Sequence, residues 1–234
     1  TGACGIVNGC DTPRWMAVPR RPARRAGHDD LSSGVRCRSF SSTPANRRRE
    51  RMTDVGGVTT FIQVLSDDDV YEYRADRWWA DGPRLAFVGC NPSLITWQAG
   101  ARLDPTSANC EAIARRDGYA GMTMLNLWAL RGTDPYDLRG HPDPIGPGWA
   151  DAFDEAVRDV GFVVGAWGTA PFCAGTRVAR RRIADVVERL DTFGLEVHCL
   201  GQTADGEPRH PSLRGVSRDA LPALQPFVGR PTRP

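Results

Sequence analysis

Short apolar runs separated by turn residues recur along most of the chain. Residues 59–64 are rich in β-branched and aromatic residues, and residues 70–74 alternate apolar and polar side chains, as strands do. Residues 85–88 form a continuous apolar run, which is typical of a strand buried on both faces. Three later runs follow at 121–131, 161–166 and 195–200. Together the runs predict the strands of one sheet.

Helical spacing of apolar residues fills the intervals between these runs. Asp104 or Thr106 can cap the first predicted helix, with Pro105 in its first turn and Gly118 after its end. The predicted helices cover 106–117, 149–160, 176–193 and 217–227. Because strands and helices alternate, we predict an α/β fold of three layers, with a central, mostly parallel sheet between helices.

The beginning of the chain differs from the rest in charge and pattern. Residues 1–51 carry a net charge of +7, and since the whole chain is +2, the remainder is −5. They also lack a sustained apolar period of about 2 or about 3.6 residues. We therefore predict a disordered basic extension over 1–51, one α/β domain over 52–228 and a tail over 229–234.

Met52 directly follows the arginine-rich end of this extension. One hypothesis is that Met52 is the biological start and that the upstream part comes from an over-extended reading frame. The extension also resembles a transit peptide, and a basic tail could attract nucleic acid. Mass spectrometry of the native protein separates these hypotheses, because a peptide from upstream of Met52 would refute the first.

Composition narrows the class of protein. Apolar residues make up 41% of the chain, yet no apolar run approaches the roughly 20 residues that cross a bilayer. We expect a cytoplasmic protein with reduced cysteines and no membrane contact. The sequence has no dinucleotide fingerprint, Walker loop or Cys-x-x-Cys pair, so no cofactor is expected. Asp67, Asp68 and Asp69 could bind a metal, but such a run is more often a solvated turn, and we predict no metal site.

Polar residues follow the central apolar run at the point where its strand should end. Gly89 permits a sharp turn and Pro92 cannot pair in a sheet, which leaves Asn91 and Ser93 on a loop. Open α/β sheets bind ligands at such carboxyl ends of strands. An ordinary strand-to-loop turn explains the same residue types, so both interpretations stay open.

Asn126 and His210 also stand out from their surroundings. Asn126 lies within an apolar run, where an amide without a hydrogen bond costs on the order of a few kcal/mol. It is either a satisfied structural residue or a group that reads the polar edge of a ligand. His210 lies between Arg209 and Pro211 after the last run, a poor core position. Further candidates for pocket or support roles are Asp104, Arg131, Asp134 and Trp167.

Two other features have both a structural and a functional interpretation. Residues 132–149 form a long loop punctuated by prolines and glycines, and loops of this length are often functional. Four arginines cluster near the start of the predicted helix 176–193: Arg177, Arg180, Arg181 and Arg182. They form a solvated face, or they contact phosphates beside a nucleic-acid site.

Four spaced motifs together resemble one known family. They are Gly-Cys-Asn-Pro-Ser from Gly89, Asn-Leu-Trp-Ala-Leu-Arg-x-Thr-Asp-Pro from Asn126, Ala-Trp-Gly from Ala166 and Gly-Gln-Thr-x-Asp-Gly-x-Pro-Arg-His-Pro from Gly201. Over residues 70–215 the sequence resembles the bacterial domain-of-unknown-function family 1643. That resemblance implies no established chemistry.

The same succession of motifs is similar, more distantly, to the uracil-DNA glycosylase superfamily and its fold. This similarity implies that Asn91 positions an attacking water, as in the mismatch-specific branch, while Asn126 reads the base and His210 stabilises the leaving base. It implies a hydrolase that acts on a nucleobase, free as a nucleotide or within nucleic acid. The implied substrate-binding residues are Asn126, Ser93, Arg131, Trp167, Arg209 and Ser212.

Some features depart from the glycosylase pattern. Leu213 and Arg214 stand where a side chain usually wedges into the duplex, and 201–209 has no recognisable counterpart. The negative charge of 52–234 also disfavours duplex DNA as the substrate. Two alternatives therefore remain: a non-catalytic module that binds a base or nucleotide, and a different group-transfer enzyme on the same fold.

Overall fold

The computed structural model describes residues 46–54, 57–94, 103–213 and 216–229, of which 46–54 and 57–59 through their backbone alone. Within these ranges eight strands form one sheet in the order β1-β2-β3-β5-β4-β6-β7-β8. The strands are β1 (Asn46–Asp54), β2 (Gly57–Leu65), β3 (Glu72–Trp78), β4 (Arg84–Gly89), β5 (Gly121–Asn126), β6 (Val160–Gly165), β7 (Val197–Cys199) and β8 (Gln225–Pro226). The α-helices are α1 (Pro105–Arg116), α2 (Asp137–Gly140), α3 (Trp149–Arg158) and α4 (Thr176–Thr192).

The sheet is mixed, and its parallel part is the centre. β5, β4, β6 and β7 are parallel neighbours, whereas β1, β2 and β3 on one side and β8 on the other pair antiparallel. The prediction of a mostly parallel sheet is therefore wrong for both flanks. The connections from β1 to β2 and from β2 to β3 are too short for a crossover helix, and only antiparallel pairing fits them.

Helices cover both faces of the central strands. Successive side chains of a strand point to opposite faces, so Leu85 and Phe87 of β4 pack with α1, while Ala86 and Val88 pack with α3 and α4. All four side chains are fully buried. The predicted α/β fold with layers on both sides of a sheet is confirmed, and the continuous apolar run 85–88 is explained by burial on both faces.

The chain ends of the described part differ from the prediction. β1 begins at Asn46 and pairs with β2, so residues 46–51 of the predicted extension belong to the sheet, and Met52 lies inside a strand. Residues 1–45 lie outside the described residues.

The predicted helix 217–227 is wrong: Arg218–Ala220 forms one 3-10 turn and β8 follows it. Pro222 and Pro226 have no amide hydrogen to donate, which disfavours a helix here.

α1 begins as predicted and fixes the loop before it. The Asp104 Oδ1 atom accepts hydrogen bonds from the backbone amides of Thr106 at 2.9 Å and Ser107 at 3.1 Å. Asp104, and not Thr106, is therefore the cap. None of the helices in the described part of the chain is long and apolar enough to cross a membrane.

A buried ionic cluster joins three strands at the amino-terminal edge of the parallel strands. Asp76 of β3 is fully buried, and its carboxylate lies 2.8 Å from Arg74 Nε and 2.7 Å from Arg84 Nη1. It also accepts a hydrogen bond of 2.8 Å from the Thr123 hydroxyl. Two buried guanidinium groups thus share one buried carboxylate, and each also reaches an exposed acid, Glu155 at 3.8 Å from Arg74 and Asp159 at 3.6 Å from Arg84. Asp76 is the closest acidic partner of both arginines.

Candidate functional site

Three parallel strands end side by side at one edge of the sheet. Gly89 at the end of β4 is paired with Asn126 at the end of β5, and Val88 is paired with Gly165 at the end of β6. The loops that follow these strands therefore meet at the carboxyl edge. This is the position where open α/β sheets bind ligands.

The side-chain amide of Asn126 lies against the backbone of Gly89. A Cβ atom built on Gly89 would be 2.6 Å from Asn126 Oδ1, so only glycine leaves room for this amide. Asn126 is only 9% exposed, and within the described ranges no residue hydrogen-bonds its side-chain amide. Buried amides are nearly always hydrogen-bonded. Among the described residues, the Asn126 amide is therefore available to a water molecule or a ligand.

The backbone around Asn126 is held firmly. Its carbonyl accepts a hydrogen bond of 2.9 Å from the Trp149 indole, and the carbonyl of Leu127 accepts one of 2.5 Å from Arg182 Nε. The Arg182 guanidinium stacks 3.8 Å above the Trp149 ring. Such supporting contacts fix the direction of a functional side chain.

Arg182 is buried and does not belong with the exposed arginines near it. The sequence contains a signal for this, because Arg182 follows Ala179 by three residues and precedes Val186 by four, on the apolar face of α4. Its prediction as a solvated or phosphate-binding residue is wrong. Its role is to hold the end of β5.

Asn91 presents an oxygen to the same edge. Its Nδ2 atom donates to the carbonyl of Gly132 at 3.0 Å and to that of Pro92 at 3.4 Å. These bonds use both amide hydrogens, and no described residue donates to Oδ1. Asn91 is half-buried, so its Oδ1 can accept a hydrogen bond from a water molecule or a substrate.

His210 is oriented by the residues that follow it. Its Nδ1 atom accepts a hydrogen bond of 3.2 Å from the Ser212 amide and lies 2.7 Å from the Ser212 hydroxyl. The proton of the neutral ring therefore sits on Nε2, which can donate to a ligand. Burial lowers the pKa of His210, and the nearby charge of Asp104 acts in the opposite direction. The imidazole is thus a neutral donor at neutral pH.

The loop that carries His210 is anchored to α1 and to the turn after β6. A Cβ atom on Gly168, whose φ is +59°, would lie 3.1 Å from His210 Cβ, which places the histidine beside the end of β6. Asn109 of α1 donates to the carbonyl of Pro211 at 2.8 Å. Trp167 donates to Glu207 at 3.1 Å. Contacts to α1 and β6 hold the loop at the carboxyl edge.

Several predicted substrate-binding residues are buried or form hydrogen bonds within the protein. Trp167 is fully buried, so its placement gives no support to contact with a ligand. Arg209 Nε donates to the carbonyl of Gln202 at 3.1 Å. Arg131 Nη1 donates to the carbonyl of Asp69 at 3.0 Å. Ser93 is exposed on the loop after β4.

The carboxyl edge therefore carries four of the candidate residues, at or after the ends of β4, β5 and β7: Asn91, Asn126, His210 and Ser212. The charge of Asp104 acts on His210. Asp134 accepts a hydrogen bond of 2.9 Å from the Tyr136 amide before α2, a turn-forming role.

Asp68 also has a turn-forming role, since it accepts hydrogen bonds from the Ser66 hydroxyl at 2.6 Å and the Val70 amide at 3.2 Å. In the described part of the chain, no group of three or more His, Cys, Asp or Glu side chains could hold a metal ion.

Glu72 is a buried acid at this edge that the sequence pattern did not reveal. Val64 pairs with Arg74 and Leu65 pairs with Glu72, so β3 contains a bulge at Tyr73. Glu72 is 6% exposed and accepts a hydrogen bond from the Gln63 amide. The alternation in 70–74 assigns Glu72 to solvent, because alternation cannot indicate which face of a strand other elements cover.

Glu72 should make stability depend on pH. Burial raises the pKa of Glu72 from about 4.5 to about 7, while the Gln63 hydrogen bond and the charge of Arg131 lower it. The pKa of Glu72 is higher in the folded protein than in the unfolded chain. The contribution of Glu72 to the free energy of unfolding is therefore complete below about pH 4.5 and is lost as pH rises through about 7. The free energy of unfolding should fall by roughly 3 kcal/mol over this range.

The variant Glu72→Gln should remove most of this dependence. Urea unfolding at several pH values between about 4.5 and about 8 measures it, with Glu188→Gln, a change at an exposed carboxylate of α4, as the control. If Glu72→Gln and Glu188→Gln lose stability equally as pH rises, Glu72 is not the responsible group.

The fold and this edge define an α/β protein with a polar site at the carboxyl ends of parallel strands. The chain belongs to the family described as "Protein of unknown function (DUF1643)", whose model matches residues 73–212. The matched region runs from β3 to Ser212 and contains Asn91, Asn126 and His210. No curated protein matches the chain.

Proposed function

We propose that the carboxyl-edge site binds one nucleobase and that the protein hydrolyses the N-glycosidic bond of that base. The observation that carries the proposal is the Asn126 amide, which is nine-tenths buried, wedged against Gly89 and without a protein partner in the described ranges. A group in this state gains most from a ligand that offers complementary hydrogen bonds.

A nucleobase edge has the required complementarity. The amide of Asn126 supplies one acceptor and two donor hydrogens, and a pyrimidine presents a donor and an acceptor next to each other. For a base within a duplex, this contact requires that the base leave the stack.

His210 and Asn91 suit the two charges that develop during hydrolysis. The bond between the base nitrogen and the sugar C1′ breaks with both electrons on the base, and Nε2–H of His210 stabilises that negative charge by donating to a base oxygen. Water held by Oδ1 of Asn91 adds hydroxide to C1′. The remaining water proton ends on the released base, so the reaction is balanced without a cofactor.

The order of the loops supports the same proposal. The loop after β4, the end of β5, the turn after β6 and the histidine loop after β7 follow one another as in the uracil-DNA glycosylase superfamily. This resemblance supports nucleobase chemistry and names no particular base.

The variant Asn126→Asp should weaken base binding at least about tenfold, because a charged oxygen that only accepts hydrogen bonds replaces the NH2 donor with little change of shape. Isothermal titration with pyrimidine bases and nucleosides measures the effect. Gln225→Glu makes the same chemical change at an exposed position of β8 and serves as the control. If Asn126→Asp and Gln225→Glu bind the base with equal affinity, Asn126 does not contact the base.

A second measurement separates binding from turnover. Asn91→Ala should leave base affinity nearly unchanged and reduce release of base from a nucleoside or oligonucleotide. If the wild-type protein binds a base but releases none from any substrate, and if Asn91→Ala leaves base affinity unchanged, the site only binds a base and does not catalyse its release.

A further inference from the structure

We propose that a single-stranded polynucleotide crosses the surface beside this site and that exposed arginines at the start of α4 hold its phosphates. This inference rests on the proposed function and specifies its substrate as a polymer. The surface consists of Tyr136 and Arg139 at α2, together with Arg177, Arg180 and Arg181 of α4. We call it the arginine surface.

The arginines of this surface carry charge that the protein itself does not neutralise. Arg177, Arg180 and Arg181 are exposed and lie on one side of α4, because they are three and four residues apart. No described residue forms an ion pair with any of them. Arg189 on the same helix differs, since it lies 2.5 Å from Asp154.

The position of these charges has no stabilising role in the helix. The first turn of α4 contains no acidic residue. Positive side chains at the start of a helix oppose its dipole and cost on the order of a few tenths of a kcal/mol each. A cluster that lowers helix stability and lacks acidic partners is suited to an external anion such as a phosphodiester.

The surface is continuous with the candidate site. The 3-10 turn Ala170–Ala174 connects Gly168, which contacts His210, to the first residue of α4. α2 packs against this turn. Asp137 of α2 also lies beside Gly132, whose carbonyl accepts the hydrogen bond from Asn91. A strand that places one base at Asn126 can therefore reach α2 and α4 with its neighbouring nucleotides.

Tyr136 indicates that the strand is single. Its side chain is 61% exposed beside Arg139, an unusual position for a large aromatic ring. Aromatic rings next to arginines stack with unpaired bases in proteins that bind single strands. The net charge of −5 over residues 52–234 disfavours broad contact with a duplex, whereas a narrow positive strip suits one strand.

Fluorescence anisotropy with labelled single-stranded DNA and RNA of about 20 nucleotides tests the proposal. The variant Arg177→Gln/Arg181→Gln should bind about tenfold more weakly at low salt, and the slope of log affinity against log salt should fall by about one. The control Arg115→Gln/Arg158→Gln removes two charges at the ends of α1 and α3, at the opposite edge of the sheet. The control should bind like the wild type, and Tyr136→Ala should lose about tenfold.

Equal affinities for the test and control variants, or tighter binding of a duplex than of its single strand, would overturn the arginine surface. Titration with the free base distinguishes this result from failure of the proposed function. If the free base binds through Asn126 but the Arg177→Gln/Arg181→Gln variant binds oligonucleotides as tightly as the wild type, only the proposal of the arginine surface is wrong. If oligonucleotides require these arginines but no base binds, the surface stands and the base site is wrong.

Discussion

Replacement of Asp76 by alanine should lower the free energy of unfolding by about 3–5 kcal/mol. The carboxylate is fully buried and neutralises Arg74 and Arg84, whose side chains are only 7% and 6% exposed. Without it, the two buried guanidinium groups keep, among the described acidic residues, only the longer contacts of Arg74 to Glu155 at 3.8 Å and of Arg84 to Asp159 at 3.6 Å. Thr123 also loses its acceptor. Burial raises the pKa of Asp76, and the two arginines counteract that effect, so the carboxylate depends on both partners.

Urea unfolding followed by circular dichroism measures the change. The control is Asp154→Ala, which removes a partly exposed carboxylate 2.5 Å from Arg189 and should cost no more than about 1 kcal/mol. Should Asp76→Ala fail to fold, Asp76→Asn keeps an acceptor for Thr123 and should still cost more than Asp154→Ala. Equal losses from the Asp76 and Asp154 variants would mean that the buried cluster is not a stabilising centre.

Replacement of His210 by alanine should reduce the rate of base release by about a hundredfold to a thousandfold. The Nε2–H donor is lost, and with it the group that stabilises the leaving base. Base affinity should change much less, because the charge on the base develops only as the bond breaks. Chromatography of released base under single-turnover conditions measures the rate.

Ser212→Ala provides the matched control for His210. It removes the hydroxyl 2.7 Å from Nδ1 but leaves the backbone amide at 3.2 Å, so the ring keeps its tautomer and orientation. We expect only a small reduction in rate. If His210→Ala and Ser212→Ala reduce base release equally, or if neither changes it, His210 is not the donor to the leaving base.

Local sequence was sufficient to predict the centre of the fold. The run 85–88 predicts β4, because residues buried on both faces must all be apolar, and Asp104 before Pro105 predicts the start of α1. β1 was not predicted, because its pairing with β2 is made through the backbone and the segment is rich in arginine. The predicted helix at 217–227 failed because β7 offers an edge there, which no local pattern reports.

At the candidate site, too, local sequence predicts some features, while others depend on tertiary contacts. Asn91, Asn126 and His210 are predicted as site residues because a polar residue at or after the end of an apolar run is locally conspicuous. Trp167 and Arg209 are just as conspicuous, yet within the protein they donate hydrogen bonds to Glu207 and to the carbonyl of Gln202. The direction of a loop side chain depends on tertiary contacts, and sequence spacing does not contain that information.

A crystal structure of the protein with a bound pyrimidine nucleoside tests the central claim most directly. We predict that the edge of the base lies about 3 Å from the Asn126 amide, with His210 Nε2 at a base oxygen and Asn91 Oδ1 facing C1′. A nucleoside bound elsewhere, or bound here without contact to Asn126, would contradict the account.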